Sequence, residues 1–188
     1  MLVLLVAVFA LIPKLVAQQQ MAVKAVGTRT CTDIRSVDFS NLKFESAGTV
    51  FAFRKGEAYS WDCRDCADRD KPDWGAKIEQ DKVISPAPGI HIRFLLVENN
   101  HLTGTGALYH VVGFRCEPTG PQNGGRLLKV FDRKGMSLQL ERIDNQGVTL
   151  TAATVPGKPI VEHFAYRWDN DTSQFVLDKT RTTQMQAP

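Results

Sequence analysis

The chain has 188 residues, of which 43% are hydrophobic and 23% charged, and its formal net charge is +3. That length suits one domain with one sizeable core. So mild a charge, carried by scattered Lys and Arg, argues against nucleic acid as a partner.

The opening "MLVLLVAVFALIPKLVAQQQ" contains an apolar run from Leu2 to Ile12, shorter than the ~20 residues that a membrane-spanning helix needs. It reads as a signal peptide over 1–17, with Ala17 at the cleavage point and Leu15 two positions earlier. No Lys or Arg precedes the run, and Lys14 follows it. Cleavage leaves 188 − 17 = 171 residues with a net charge of +2, no membrane span, and a secreted or periplasmic address. Four cysteines, Cys31, Cys63, Cys66 and Cys116, then form an even set in an oxidising compartment, which predicts two disulfides.

Residues 18–48 form an N-terminal segment. From Thr49 onward the apolar residues recur with period two. "TVFAFR" and "EAYSW" flank Lys55-Gly56, read as a hairpin turn. "DWGAKIEQDK" is the nearest thing to a helix, but it is short and contains a glycine. "GIHIRFLLVEN" and "GALYHVVGFRC" alternate clearly, the second with His110, Val112, Phe114 and Cys116 on one face, so His110 reads as a buried, hydrogen-bonded histidine rather than a ligand. "GRLLKVFD", "MSLQLERI" and "GVTLTAATV" follow, separated by expected turns at Asp132–Gly135 and Asp144–Gly147. "VEHFAYRW" and "QFVLDKT" close the series around Asp169–Asp171, with Trp168 assigned to the core. The expectation is an all-β domain over 49–181, a sandwich, open barrel or curved meander of about nine antiparallel strands. Each sheet is expected to be packed on one face and wet on the other, ahead of a flexible tail at 182–188.

Three stretches, "VDFSNLKF", "NNHLTGTGALYHVVGFRC" and "YRWDNDTSQFVL", resemble a loose group of uncharacterised exported bacterial β-rich proteins. The resemblance implies export and β structure, and brings no activity with it. Some members carry a Cys-Cys pair ahead of the Tyr-Arg-Trp strand. Here that region is "TVPGKPIVEHF", so no disulfide wiring carries over.

The most suggestive chemistry lies in "WDCRDCADRD". A redox Cys63-x-x-Cys66 pair needs a lowered thiol pKa and a following helix. Here Asp62, Asp65 and Asp68 would repel a thiolate, and Pro72 and Gly75 interrupt any helix. Zinc would need a second Cys-x-x-Cys pair, and Cys31 and Cys116 are isolated. Asp62, Asp65, Asp68, Asp70 and Asp73 are weak calcium candidates, because Arg64, Arg69 and Lys71 neutralise them and the calcium-loop order is missing. The plain reading is a loop stapled by two disulfides, 31–63 with 66–116 or 31–66 with 63–116.

His91 in phase with Arg93, and His163 in phase with Arg167, could meet around a metal or a carboxylate if their strands were neighbours. "TGTG" at 103–106 enters a strand rather than a helix, so it lacks a phosphate-binding dipole. Trp74, Trp61 and Tyr59 are candidates for a glycan- or peptide-binding surface. No catalytic constellation or cofactor motif is present in the sequence. The expected function is therefore a non-catalytic, exported binding module with a protein or glycan partner. A thiol-disulfide oxidoreductase using Cys63 and Cys66, or a purely structural envelope protein, is the alternative.

Overall fold

A computed structural model describes residues 24–60, 74–101, 107–118, 125–136, 138–153 and 160–184. Apart from two 3₁₀ turns, at Ile34–Ser36 and Phe39–Asn41, its regular structure is antiparallel β. The strands are β1 Lys24–Thr30, β2 Lys43–Ser46, β3 Thr49–Ala52, β4 Glu57–Ser60, β5 Trp74–Ala87 and β6 Ile90–His101. They continue as β7 Ala107–Pro118, β8 Gly125–Met136, β9 Gln139–Asp144, β10 Gly147–Ala153, β11 Ile160–Asp169 and β12 Gln174–Gln184. A six-stranded sheet runs β1-β8-β7-β6-β5-β4, a four-stranded sheet runs β12-β11-β10-β9, and β2-β3 stand as a separate hairpin. The whole has the shape of a curled half-barrel.

The long strands β6, β7 and β8 are covered on both faces. Ile92, Phe94, Leu96, Val111, Leu128 and Val130 face the four-stranded sheet, where they meet Leu150, Tyr166, Trp168 and Phe175. Leu95, Val97, Val112, Phe114 and Leu127 face the other way, onto Ile34, Phe39, Leu42, Phe44, Phe51 and Phe53. The expected wet face holds for the four-stranded sheet and fails for the centre of the larger one. There the N-terminal segment supplies a third layer that single-strand alternation could not reveal.

Several local expectations change with it. "DWGAKIEQDK" lies at the start of the longest strand, β5, whose only buried side chains are Ala76 and Ile84, which is why its alternation is faint. Lys55 and Gly56 do form a tight turn, both with positive φ (56° and 87°), closed by Arg54 N–H to the Glu57 carbonyl. Yet β3 pairs with β2 and β4 pairs with β5, so this turn hands the chain from one sheet to the next. Pairing of β2 with β3 also carries the hairpin across position 48, where the N-terminal segment was expected to end. β8 runs straight through Asp132–Gly135, the expected turn, because those residues stay in register with Val112 to Tyr109. β12 continues to Gln184, so the first residues of the expected tail are paired with β11.

One bulge organises the junction between layers. Gly113 pairs with Phe131 and Phe114 with Lys129, leaving Val130 as the extra residue. Val130 and Phe131 both enter the core shared with the four-stranded sheet. The phase shift then puts Lys129 and Asp132, which a regular strand would point to opposite faces, on the same face. Gly113 is required there, since a Cβ would lie 2.9 Å from both Phe131 and Phe94.

Asp132 holds the β2–β3 turn. It accepts from Ser46 Oγ (2.6 Å) and the Ala47 N–H (3.0 Å), and it is ion-paired to Lys129. Lys129 also donates to the Glu45 carbonyl (2.8 Å), and Lys134 to that of Ala47 (2.8 Å). Ala47 sits at φ 44°, a left-handed conformation that costs an alanine free energy. Arg93 makes a second tie: it grips Asp81 at 2.6 and 2.5 Å, donates to the Val37 carbonyl (2.7 Å) and lies over the Phe39 ring. A disulfide between Cys31 and Cys116 makes the third, closing a separation of 85 residues.

Removing the Asp132 carboxylate strands a buried Lys129 and two donors. Asp132→Ala is therefore expected to lower unfolding free energy by about 3 kcal/mol, while exposed Lys134→Ala costs well under 1 kcal/mol. Urea denaturation measures both, and equal losses would refute the assignment.

Candidate functional site

Two of the three ligand candidates fall in the described residues, and the ladder separates them. Tyr59 pairs with Gly75 and Ser60 with Trp74, so alternation puts the two rings on opposite faces of the sheet. Tyr59 is 51% exposed on the edge strand and donates to Glu57 (2.9 Å). Trp61 lies outside the described residues, as do Cys63, Cys66, Asp62, Asp65, Asp68, Asp70 and Asp73.

The bond between Cys31 and Cys116 overturns both expected disulfide pairings. The topology supplies the reason. The connection 61–73 joins Ser60 to Trp74, which pairs with His101 at one end of the large sheet. Cys116 lies toward the other end, about 30 Å along β7 from Ala107 at ~3.4 Å per residue. Cys31 reaches Cys116 instead because its N–H donates to the Gly125 carbonyl (2.6 Å), beside the strand pair that holds Cys116.

The paired-histidine idea also fails. His91 is on β6 and His163 on β11, in different sheets. His91 shares a hydrogen bond with Ser85 (2.7 Å), and His163 lies between Glu141 (3.2 Å) and Thr183 (2.9 Å). Among the described residues no group of three His, Cys, Asp or Glu side chains could hold a metal. Trp168 is in the core as expected, 8% exposed, with its indole N–H on Asn170 (3.0 Å).

Sequence reading missed one constellation altogether: Ser46, His110 and Asp132 converge from three strands or their connections. His110 Nδ1 lies 2.9 Å from Ser46 Oγ, which donates onward to Asp132. Ser46 therefore accepts from an Nδ1–H tautomer, and the Nε2 lone pair faces a buried site without a partner. In a hydrolytic triad the histidine accepts the serine proton, whereas here the carboxylate does. Ser46 and His110 are both 0% exposed, so no substrate reaches them. The cluster is a lock between layers. His110 was expected to be buried and hydrogen-bonded, and it is.

Among the described residues, a site with room for a ligand lies at the seam of the half-barrel. β4 pairs only with the first part of β5, up to Lys77, leaving the rest of that edge to β9. Lys82 Nζ donates to the Ile143 carbonyl (2.7 Å) and Ser85 N–H to Asn145 (2.8 Å), fastening one end of the seam. At the other end a cleft of about 370 Å³ opens, lined by Gln80, Leu96, Tyr109, Leu138, Gln139 and Leu140. Leucines line it together with a tyrosine and two amides. The Tyr109 hydroxyl donates to Glu98 (3.1 Å), which is ion-paired at 3.2 Å to Lys77, a lysine it shares with Glu79 (2.6 Å). Burial, followed by that carboxylate, pushes the Tyr109 hydroxyl above its ordinary pKa, so it stays a neutral donor. A smaller hollow of about 220 Å³ beside Cys31 is polar, and its carboxylates Asp33 and Asp38 are already held by Arg35 and by Ser40 with Asn41. No protein-family model, no curated protein and no solved structure matches this chain.

Burial drives the His110 pKa from 6.5 down to about 4. Above pH 6.5 the histidine is neutral in both states and costs nothing. As pH falls from 6.5 to 4 the unfolded chain takes up a proton that the folded one refuses, so stability falls by about 3 kcal/mol. His110→Asn, which keeps a donor to Ser46 but cannot titrate, should flatten that part of the stability-against-pH curve. A slope as steep in the variant as in the wild type would contradict this.

Proposed function

We propose that this protein is a non-catalytic, exported binding module and that its ligand occupies the seam cleft. The carrying observation is the cleft itself. Its volume falls in the range of small-molecule sites, and it combines apolar walls with a few convergent polar groups. Leu96 and Leu138 are buried in the core, so the floor is preformed rather than assembled by the ligand. The disulfide and the absence of any long apolar helix among the described residues are compatible with a location outside the cytoplasm. Tyr59 and Trp74, standing on opposite faces, weigh against a flat aromatic platform for a glycan.

Gln80 is exposed at the rim, so Gln80→Trp should fill the mouth without disturbing the core. The expected result is at least tenfold weaker uptake of a neutral apolar fluorophore such as Nile red, with a melting temperature within a few degrees of wild type. Unchanged uptake would place the binding elsewhere.

One observation favours the thiol-disulfide reading. With Cys31 bonded to Cys116, the chain offers Cys63 and Cys66 no cysteine but each other. If this reading holds, peptide mapping without reductant shows a Cys63–Cys66 link that a small dithiol opens while Cys31–Cys116 survives. Resistance of that link to the dithiol would remove the reading.

A further inference from the structure

The inner face of the half-barrel carries a charge that no described carboxylate matches. Arg133 stands opposite Val111, on the face packed against the four-stranded sheet. Its Nε donates to the Tyr166 hydroxyl (2.7 Å) and its Nη1 to the Asp132 carbonyl (3.0 Å). The guanidinium lies 5.0 Å from the Tyr166 ring centre and 5.9 Å from that of Phe131. These bonds use two of the five N–H donors an arginine carries. Among the described residues no carboxylate forms an ion pair with Arg133. The adjacent Asp132 faces the other layer, where Ser46, Ala47 and Lys129 hold it.

A half-buried cation normally keeps a counter-charge, and a ring face replaces only part of it. Arg133 is not itself a wall of the cleft, but strand register sets it beside one. Tyr109, which lines it, pairs with Gly135, and Arg133 is the next residue along β8 on the same face, a diagonal neighbour at roughly 7–8 Å. Gly135 has no side chain to stand between them, and Leu138 packs over it. Glu98, the carboxylate on the Tyr109 side, shares Lys77 (3.2 Å) with Glu79 (2.6 Å), so among the described residues Arg133 is the cation of this neighbourhood that no carboxylate pairs.

We propose that the cleft takes an anionic amphiphile, whose apolar body lies along Leu96, Leu138 and Leu140 and whose carboxylate pairs with Arg133. The planar guanidinium fork suits a carboxylate, and an apolar floor with one cation at its end selects against both neutral and cationic analogues. This rests on the cleft being the binding site, as proposed above.

Calorimetric titration of the full chain with dodecanoate and with dodecanol, both below their aggregation limits, separates the two ideas. The expected result is that dodecanoate binds at least tenfold more tightly than dodecanol. Arg133→Gln should abolish that preference and leave dodecanol binding unchanged. Arg133→Lys, which keeps the charge without the fork, should retain part of it, and Gln80→Trp should weaken both ligands. Equal affinity for the acid and the alcohol, or a preference that survives Arg133→Gln, overturns the anionic assignment and leaves the cleft standing. Absence of binding by either ligand to the wild type overturns both.

Discussion

The three-layer arrangement depends on one partly buried carboxylate. Asp132 gathers a serine hydroxyl, a backbone N–H and a lysine from two layers into a single satisfied cluster, and His110 is attached to it through Ser46. A charge largely withdrawn from water is stable only when its lone pairs are filled, so the cluster tolerates few alternative positions of the β2–β3 hairpin. Phe44, Phe51 and Phe53 supply the apolar attraction between layers. Because that attraction has no direction, the polar contacts are what fix where the hairpin sits.

The bulge at Val130 makes the cluster possible and shapes the cleft as well. By shifting the phase of β8, it sends Lys129 and Asp132 to the N-terminal layer. The same shift places Phe131 and Arg133 on the inner face with Tyr166. A strand without the extra residue would exchange these faces beyond position 130. The lock that holds the third layer and the charge near the cleft are thus two results of one backbone irregularity, with Gly113 giving the space it needs.

Legibility along the sequence followed the strength of local signals. β6, β7, β10 and β11 alternate strongly and were readable, as was the assignment of Trp168 and His110 to the interior. β5 was obscure because few of its side chains are buried, and β1 because its partner, β8, lies far along the chain. The Asp132–Gly135 stretch has turn composition, yet the ladder to β7 and the ties to Ser46 and Ala47 keep it extended. None of the residues lining the cleft carried a recognisable motif. A leucine, a tyrosine and a glutamine become a site only when separate strands bring them together.

By itself the sequence determined the all-β class, the antiparallel neighbours in the centre of the chain and the presence of a disulfide. Period-two burial, short connections and paired cysteines are local or compositional properties. Tertiary structure alone decided which cysteines pair, which strands are buried on both faces, and where polar groups converge. Those outcomes depend on sheet order, on strand length, which sets the distance between the sheet's ends, and on a one-residue shift in register. None of these is encoded in any single window of residues.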